Sequence, residues 1–301
     1  MIYDYYLSNA NIKDFEEWDK AKKEWKEKSK DEKYKLWLDE IFVKPLAKSK
    51  TEIRNKLSKG ENPNNFYPQK EDLENLPENS LLIKISFTLK KPYTSKDEGE
   101  FHIIDGKIFE NPIVRDKFTG LPMIRPSTWK GHLRFAAGKV KENDKNNENE
   151  KKKIIRRLFG SEPESEDTLK GRLYFFPTFF EVKAERDVIT PLKRDTRTPT
   201  RRGPIPLEVM KPGKDGEFYL LYIPYPRGKD FKEEEIDEDL KFLAEALNLM
   251  FYTYGFSAKK TSGFGVIERL KGKEIEVYPE KRKETFSILY TKPNETVKDG
   301  A

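Results

Sequence analysis

Two prolines decide the backbone of the stretch Asn111–Gly138, NPIVRDKFTGLPMIRPSTWKGHLRFAAG, and the rest of the chain reads as its support. Pro122 and Pro126 each push the residue before them out of the helical region, so Leu121–Ile124 is extended. Upstream, Pro112, Ile113 and Val114 form a second extended run closed by Arg115 and Asp116. Between the two runs lies Lys117-Phe118-Thr119-Gly120, where glycine supplies the freedom a tight reversal needs. Past Pro126 a helix can form. Ser127 stands where an N-cap belongs. Trp129, Leu133, Ala136 and Ala137 mark its apolar side, and Lys130 and Arg134 lie one turn apart on another face. A helix start exposes unpaired N–H groups and a partial positive charge, and Arg125, Lys130, His132 and Arg134 surround this one. That combination favours a phosphate. The plain alternative is a turn and helix with solvated bases.

Composition narrows the class. The 301 residues suffice for one large core or two small ones, yet charged residues (37%) outnumber hydrophobic ones (35%), so much of the length is surface, insertion or linker. The net charge of +6 says little by itself about nucleic acid; clustering decides. With no Cys there are no disulfides and no thiolate metal sites, which suits a cytoplasmic protein. Abundant Lys, Glu and Arg also fit a thermophile. No run of about 18 apolar residues exists to span a membrane, and Met1–Tyr6 carries neither part of a signal peptide.

Residues 1–79 read as an N-terminal helical extension. Asn9–Lys30 places Phe15, Trp18, Ala21, Lys22 and Trp25 on one stripe, and Lys35–Lys50 repeats the pattern up to Pro45. With Trp37, these aromatic residues suit either a partner subunit or packing on the main domain. A loop at Gly60–Pro68 and a short helix at Lys70–Asn75 follow. From Leu81 to Leu89 apolar residues recur at every second position, a strand. Lys141–Lys153 is charged and low in complexity and reads as a loop before a short helix, Ile154–Phe159. Gly171–Val182 reads as a strand with an edge or bulge at Pro177. Glu217–Pro224 is another strand, and Lys232–Phe251 is the best helix, its inner face marked by Ile236, Leu240, Leu243, Ala244, Leu247 and Met250. A glycine–lysine loop, Gly255–Gly265, leads into a strand at 263–268; Ile275–Tyr278 and Thr285–Tyr290 read as closing strands. Taken through 263–268 the order is β-α-β-β-α-β, an α+β, ferredoxin-like (RRM-like) core with insertions.

PIVRDKFTGLPMIRPSTWKGHLR resembles the segment that opens the first helix in the RAMP (repeat-associated mysterious protein) superfamily of CRISPR effector complexes. The similarity lies in Pro122, Pro126, Ser127, Thr128, Trp129, Lys130, Gly131, Leu133 and Arg134, with Arg125-Pro126 departing from the family's Pro-Gly. Leu158-Phe159-Gly160 with Gly171-Arg172-Leu173-Tyr174-Phe175, the tract Arg186–Arg202, and Ser262-Gly263-Phe264-Gly265 match later family features in order, over about residues 81–270. Four ordered matches are more specific than any one glycine-rich loop. The resemblance implies a ferredoxin-like domain over 80–301 and a thumb-like insertion at 183–216. It also implies a backbone-type subunit of a type III complex, with guide RNA (crRNA), target RNA and other effector subunits as partners in antiviral defence.

The residues expected to bind RNA are Arg125, Ser127, Lys130 and Arg134 in the organising segment; Lys193, Arg194, Arg197, Arg201 and Arg202 in the thumb tract; and Lys259, Lys260, Ser262 and Gly263 in the glycine loop. Tyr254, Phe256 and Phe264 are candidates for stacking on bases, with core packing the expected role of Phe264. There is no Ser-His-Asp order, no HExxH motif and no His/Cys ligand cluster, so no metal site is assigned and no tightly bound cofactor is expected. In the resembling subunits an Asp precedes the Pro-Ile/Val-x-x-Asp run. Here that position is Glu110, and Asp105 lies five residues earlier on the same loop. If the loop Asp105–Glu110 cuts RNA in the assembled complex, its carboxylates suit a hard divalent cation such as Mg²⁺. Asp116 is expected to pair with Arg115 or cap the turn. Two other functions fit the same pattern: a stand-alone repeat-processing endonuclease using His102 and Lys130, and a ferredoxin-like RNA-binding protein outside CRISPR systems.

Overall fold

A computed structural model of the chain describes residues 67–95, 102–104, 107–109, 113–116, 121–141, 148–161, 168–190, 193, 195–196, 198, 204–227, 231–259 and 262–291. The expected N-terminal helices, with Trp18, Trp25 and Trp37, lie outside the described residues. In chain order the elements are β1 (Leu81–Thr88), β2 (His102–Ile104), β3 (Lys107–Phe109), β4 (Met123–Ile124), α1 (Pro126–Ala137), α2 (Glu148–Phe159), β5 (Leu173–Phe175), β6 (Thr178–Phe179), β7 (Glu185–Ile189), β8 (Ile205–Val209), β9 (Asp215–Tyr222), α3 (Glu234–Leu249) and β10 (Ile275–Tyr278). The class is mixed helix and sheet, as read from the sequence. Two compact units divide the chain: a sheet unit (63–93, 124–179, 211–301) and a hairpin unit (1–62, 94–123, 180–210).

In the sheet unit, four strands run in the order β10-β1-β9-β5, every pair antiparallel. β1 pairs with β9 along its whole length, from Leu81 opposite Tyr222 to Thr88 opposite Asp215. Its alternation puts Leu81, Ile83, Ile85 and Phe87 into the main core. On the other face Leu82 is also buried, because Tyr67 stacks on Tyr219 at 4.1 Å and the two cover it. The core itself is aromatic. The Trp129 ring of α1 lies 4.5 Å from Phe256 and 4.8 Å from Phe218, with Phe87 and Phe251 around them. The indole N–H, which burial would otherwise strand, donates to Thr178 Oγ1 at 3.1 Å. Losing such a ring to alanine costs about 3–5 kcal/mol.

α3 buries the face read from the sequence and two residues more, Ala246 and Asp239. This fully buried carboxylate accepts from Arg172 Nη1 at 2.7 Å, Arg157 Nε at 3.0 Å and the Tyr222 hydroxyl at 3.0 Å. Burial pushes the Asp239 carboxyl up, and the two guanidiniums oppose that shift. Burial also works to lower Arg172, yet the neighbouring Asp239 holds it above its ordinary value. The Arg of Gly171-Arg172-Leu173 is therefore a structural ion that ties β5 to α3.

Four boundaries differ from the sequence reading, each for a local reason. α1 begins at Pro126, with Arg125 rather than Ser127 as N-cap, because proline's fixed φ and missing N–H suit the first helical position. α2 reaches back to Glu148 through the charged tract. Glu148–Lys152 (3.1 Å) and Glu150–Lys153 (2.7 Å) pair along it, and acids occupy its first turn. The strand expected at 263–268 shrinks to one bridge, Leu89 to Ile267, since positive φ at Gly263 and Gly265 interrupts it; β10 takes the place beside β1. Residues Glu280–Leu289 form a 3₁₀ helix instead of a strand, with Phe286 and Leu289 buried three residues apart. Pro177 does interrupt the 171–182 run, splitting it into β5 and β6.

In the hairpin unit, β2 pairs with β3 and β7 with β8, both antiparallel. No helix among the described residues is long and apolar enough to cross a membrane.

Candidate nucleic-acid interface

Two of the segments expected to bind RNA, the start of α1 and the glycine loop, lie in the sheet unit. Both are anchored from inside: Trp129 of α1 and Phe256 of the loop share the aromatic core, and both are fully buried. Phe256 therefore packs the core and is not the base-stacking residue the sequence suggested. Once Trp129 faces inward, helical spacing turns Ser127 and Lys130 outward, and both are exposed; Arg134 is half-buried. Arg125 is exposed at the N-cap. Pro126 has no N–H, and the Thr128 and Trp129 N–H groups donate to the Arg125 carbonyl at 3.0 and 3.1 Å, so what the helix start brings to these bases is the Ser127 N–H and the partial positive charge of its dipole.

The loop closes on itself. Phe256 N–H donates to the Gly265 carbonyl at 3.0 Å, and Gly265 N–H to the Pro92 carbonyl at 2.7 Å. At Gly255 φ is 72°, and a Cβ there would run into the Phe264 carbonyl oxygen. Gly265 is at φ 78°, and a Cβ would meet Ser257 N at 2.6 Å. These two glycines serve the closure. At Gly263, with φ 74°, a Cβ would meet nothing within 4 Å, so this glycine serves the turn and leaves open space around the backbone. Ser262 and Lys259 beside it are exposed, and Ser262 N–H donates to the Lys259 carbonyl at 3.0 Å. Lys260 lies outside the described residues. Tyr254 and Phe264 are half-buried.

The hairpin unit holds the other candidates. The connection between β7 and β8 carries the basic tract; Lys193 is exposed within it, and Arg194, Arg197, Arg201 and Arg202 lie outside the described residues. Glu110 and Asp105 also lie outside them; Asp105 and Gly106 are the two residues between Ile104 and Lys107, which pair across β2 and β3. The backbone of His102 pairs with that of Phe109.

The best-defined polar cluster of this unit escapes a reading of the sequence. Glu208 is 1% exposed, and its Oε1 accepts from Arg115 Nη2 at 2.6 Å. Its Oε2 accepts from Ile113 N–H at 3.1 Å, and its carbonyl from the Thr94 hydroxyl at 2.8 Å. Val114 N–H donates to Ser95 Oγ at 2.9 Å. One buried carboxylate thus fixes the 113–115 segment, while its own backbone holds Thr94. Arg115 pairs with Glu208, correcting the expected partner Asp116, whose N–H donates to the Leu121 carbonyl. The available signal is an acid between Leu207 and Val209 in an apolar strand, just as Asp239 sits among Ile236, Leu240 and Leu243.

Comparison with known proteins assigns the chain to a family. The family model of the RAMP superfamily matches residues 98–268, more than half of the chain, and the chain belongs to that superfamily. Among curated proteins it is similar to the CRISPR system Cms endoribonuclease Csm3 of Streptococcus thermophilus. The two are 26% identical over 176 residues, covering 55% of this chain and 78% of the relative. Among solved structures it matches a chain of the type III-B Cmr-beta complex bound to cognate target RNA, with TM-score 0.45, 19% identity, and 81% and 72% of the two chains covered. A chain of a type IV-B CRISPR complex matches with TM-score 0.38 and 12% identity, over 65% and 90%.

Proposed function

We propose that this chain is an RNA-binding backbone subunit of a type III CRISPR effector complex, built on a ferredoxin-like βαββαβ core. Membership of the RAMP superfamily and similarity to Csm3 support the assignment. The core reading rests on the element order β1-α1-β5-β9-α3-β10 and the sheet order β10-β1-β9-β5, which is the 4-1-3-2 arrangement of a split βαβ fold. The observation that carries the RNA reading is the anchoring of α1 and the glycine loop on one aromatic core. Trp129 and Phe256 hold Arg125, Ser127 and Lys130 on one side and Lys259, Ser262 and Gly263 on the other.

Phosphates would be met by the exposed Lys130 and Lys259 ammoniums, Arg125 and the Ser127 and Ser262 hydroxyls, which gives affinity without sequence preference. The β7–β8 connection, with Lys193 and its basic neighbours, is the thumb-like element of this reading. If the assembled complex cuts target RNA through this chain, Asp105 and Glu110 are the residues to carry it. Carboxylates are hard oxygen donors that suit Mg²⁺, which supplies charge neutralisation at the phosphate. A filter-binding series with single-stranded RNA tests the reading. Binding that weakens steeply with salt, and weakens further in Lys259→Ala/Lys260→Ala, supports it; a flat salt response contradicts it.

A further inference from the structure

α1 carries a large aromatic residue away from its buried stripe. Its buried stripe is Trp129, Leu133, Ala136 and Ala137, and Phe135 lies off that stripe, 41% exposed. The ring meets Tyr254 edge-on, with centroids 5.4 Å apart and planes at 90°. Tyr254 is the last residue of the π-turn Met250–Tyr254, directly before Gly255, where the glycine loop starts. The pair therefore forms a corner where the outer face of α1 meets the root of the loop. Lys139 Nζ stands 5.8 Å from the Phe135 centroid, and Arg134 is the neighbouring residue. Four residues before Phe135 on the helix, Gly131 is exposed, and a Cβ there would meet nothing within 4 Å. Glycine inside a helix is destabilising, and here the fold has no steric need of it.

We propose that Phe135 and Tyr254 are a base-stacking platform for single-stranded RNA, placed beside the phosphate-binding groups of α1 and the glycine loop. This deepens, and rests on, the RNA-binding reading above. Every base has a π face, so an aromatic corner takes bases without regard to sequence, and only an unpaired base can reach it. The cationic neighbours Lys139 and Arg134 match the charge of the strand that would carry the base. The glycine at 131 lets that strand approach the helix backbone.

The experiment uses the full chain and a fluorescein-labelled single-stranded RNA of about 20 nucleotides, with anisotropy read from about 50 to 200 mM salt. Stacking is worth roughly 5- to 150-fold per base, so Phe135→Leu is expected to weaken binding at least fivefold. The slope of log Kd against log salt stays that of the parent, because every phosphate interaction remains in place. Phe135→Trp restores the affinity. RNA carrying 2-aminopurine is quenched on binding the parent and Phe135→Trp, and is not quenched by Phe135→Leu. Binding by Phe135→Leu within twofold of the parent overturns the proposal, as does failure of Trp to restore it. Equal losses on single-stranded and duplex RNA also overturn it. If Phe135→Leu leaves RNA affinity intact but weakens association with other subunits, the corner belongs to a protein partner and the proposal fails. A parent that binds no single-stranded RNA at any salt contradicts the RNA-binding reading itself, and the platform falls with it.

Discussion

Replacing Glu208 should expose how much of the hairpin unit depends on one buried carboxylate. In Glu208→Ala, Arg115 keeps its charge with a side chain only 14% exposed, and Ile113 N–H loses its acceptor. Leaving a buried charge unpaired costs about 3–5 kcal/mol, and a stranded backbone donor about 1–3 kcal/mol. The sum is an upper bound, since partial exposure lets Arg115 reach water, and about 3–4 kcal/mol is the expected loss. Glu208→Gln retains an acceptor but not the charge, and should lose about 1.5–3 kcal/mol. The double variant Arg115→Leu/Glu208→Leu should be milder than Glu208→Ala. No charge is then left behind, and Arg115 Nη1 is already buried without a hydrogen-bond partner among the described residues, so within them the native pair is incompletely satisfied. The assay is urea unfolding followed by far-UV circular dichroism, with hydrogen exchange at the Ile113 and Val114 amides reporting the local segment. A double variant whose loss equals the sum of Arg115→Leu and Glu208→Leu would refute the coupling. So would a Glu208→Ala loss below about 1 kcal/mol.

Three further outcomes follow from the same geometry. Asp239→Asn leaves Arg157 and Arg172 around a neutral amide and should destabilise by about 3–5 kcal/mol in denaturant unfolding, whereas Tyr222→Phe, which removes one donor, should cost about 1 kcal/mol. Gly255→Ala combines a positive φ with a collision against the Phe264 carbonyl and should lower the melting temperature, while Gly131→Ala, with open space, should raise stability by about 0.5–1 kcal/mol. In target-RNA cleavage by the assembled complex, Asp105→Ala and Glu110→Ala should each reduce cutting if this loop is catalytic. Parent-level cleavage in the double variant would leave the chain a binding subunit only.

What the sequence discloses is periodic, and what it conceals is paired across long separations. β1 and α3 announce themselves by alternation and by a 3.6-residue apolar stripe, and both appear within two residues of the expected ends. The Arg115–Glu208 pair joins residues 93 positions apart, and nothing local to either names the other. Asp239 reads locally as a helix acid, and only the arrival of Arg157 and Arg172 makes it a core residue. The fourth strand lies elsewhere than expected because Val266 and Ile267 look strand-like, while positive φ at the flanking glycines does not show in an apolar pattern. Phe256 and Phe135 carry the same side chain beside the same glycine–lysine surface. Helical spacing already sets Phe135 off the buried stripe of α1, whereas the burial of Phe256 comes from the loop folding back onto Trp129, which no local spacing encodes.

The central claim is that α1 and the glycine loop form one RNA surface, and the most direct measurement is the salt dependence of single-stranded RNA binding in variants of each. Lys130→Ala and Lys259→Ala should each lower the magnitude of the log–log salt slope by about 0.7 to 1, the change that removal of a single phosphate interaction produces, and should weaken binding to unrelated RNA sequences equally. The double variant should lower it by the sum. Slopes that stay at the parent value in both single variants would contradict the account.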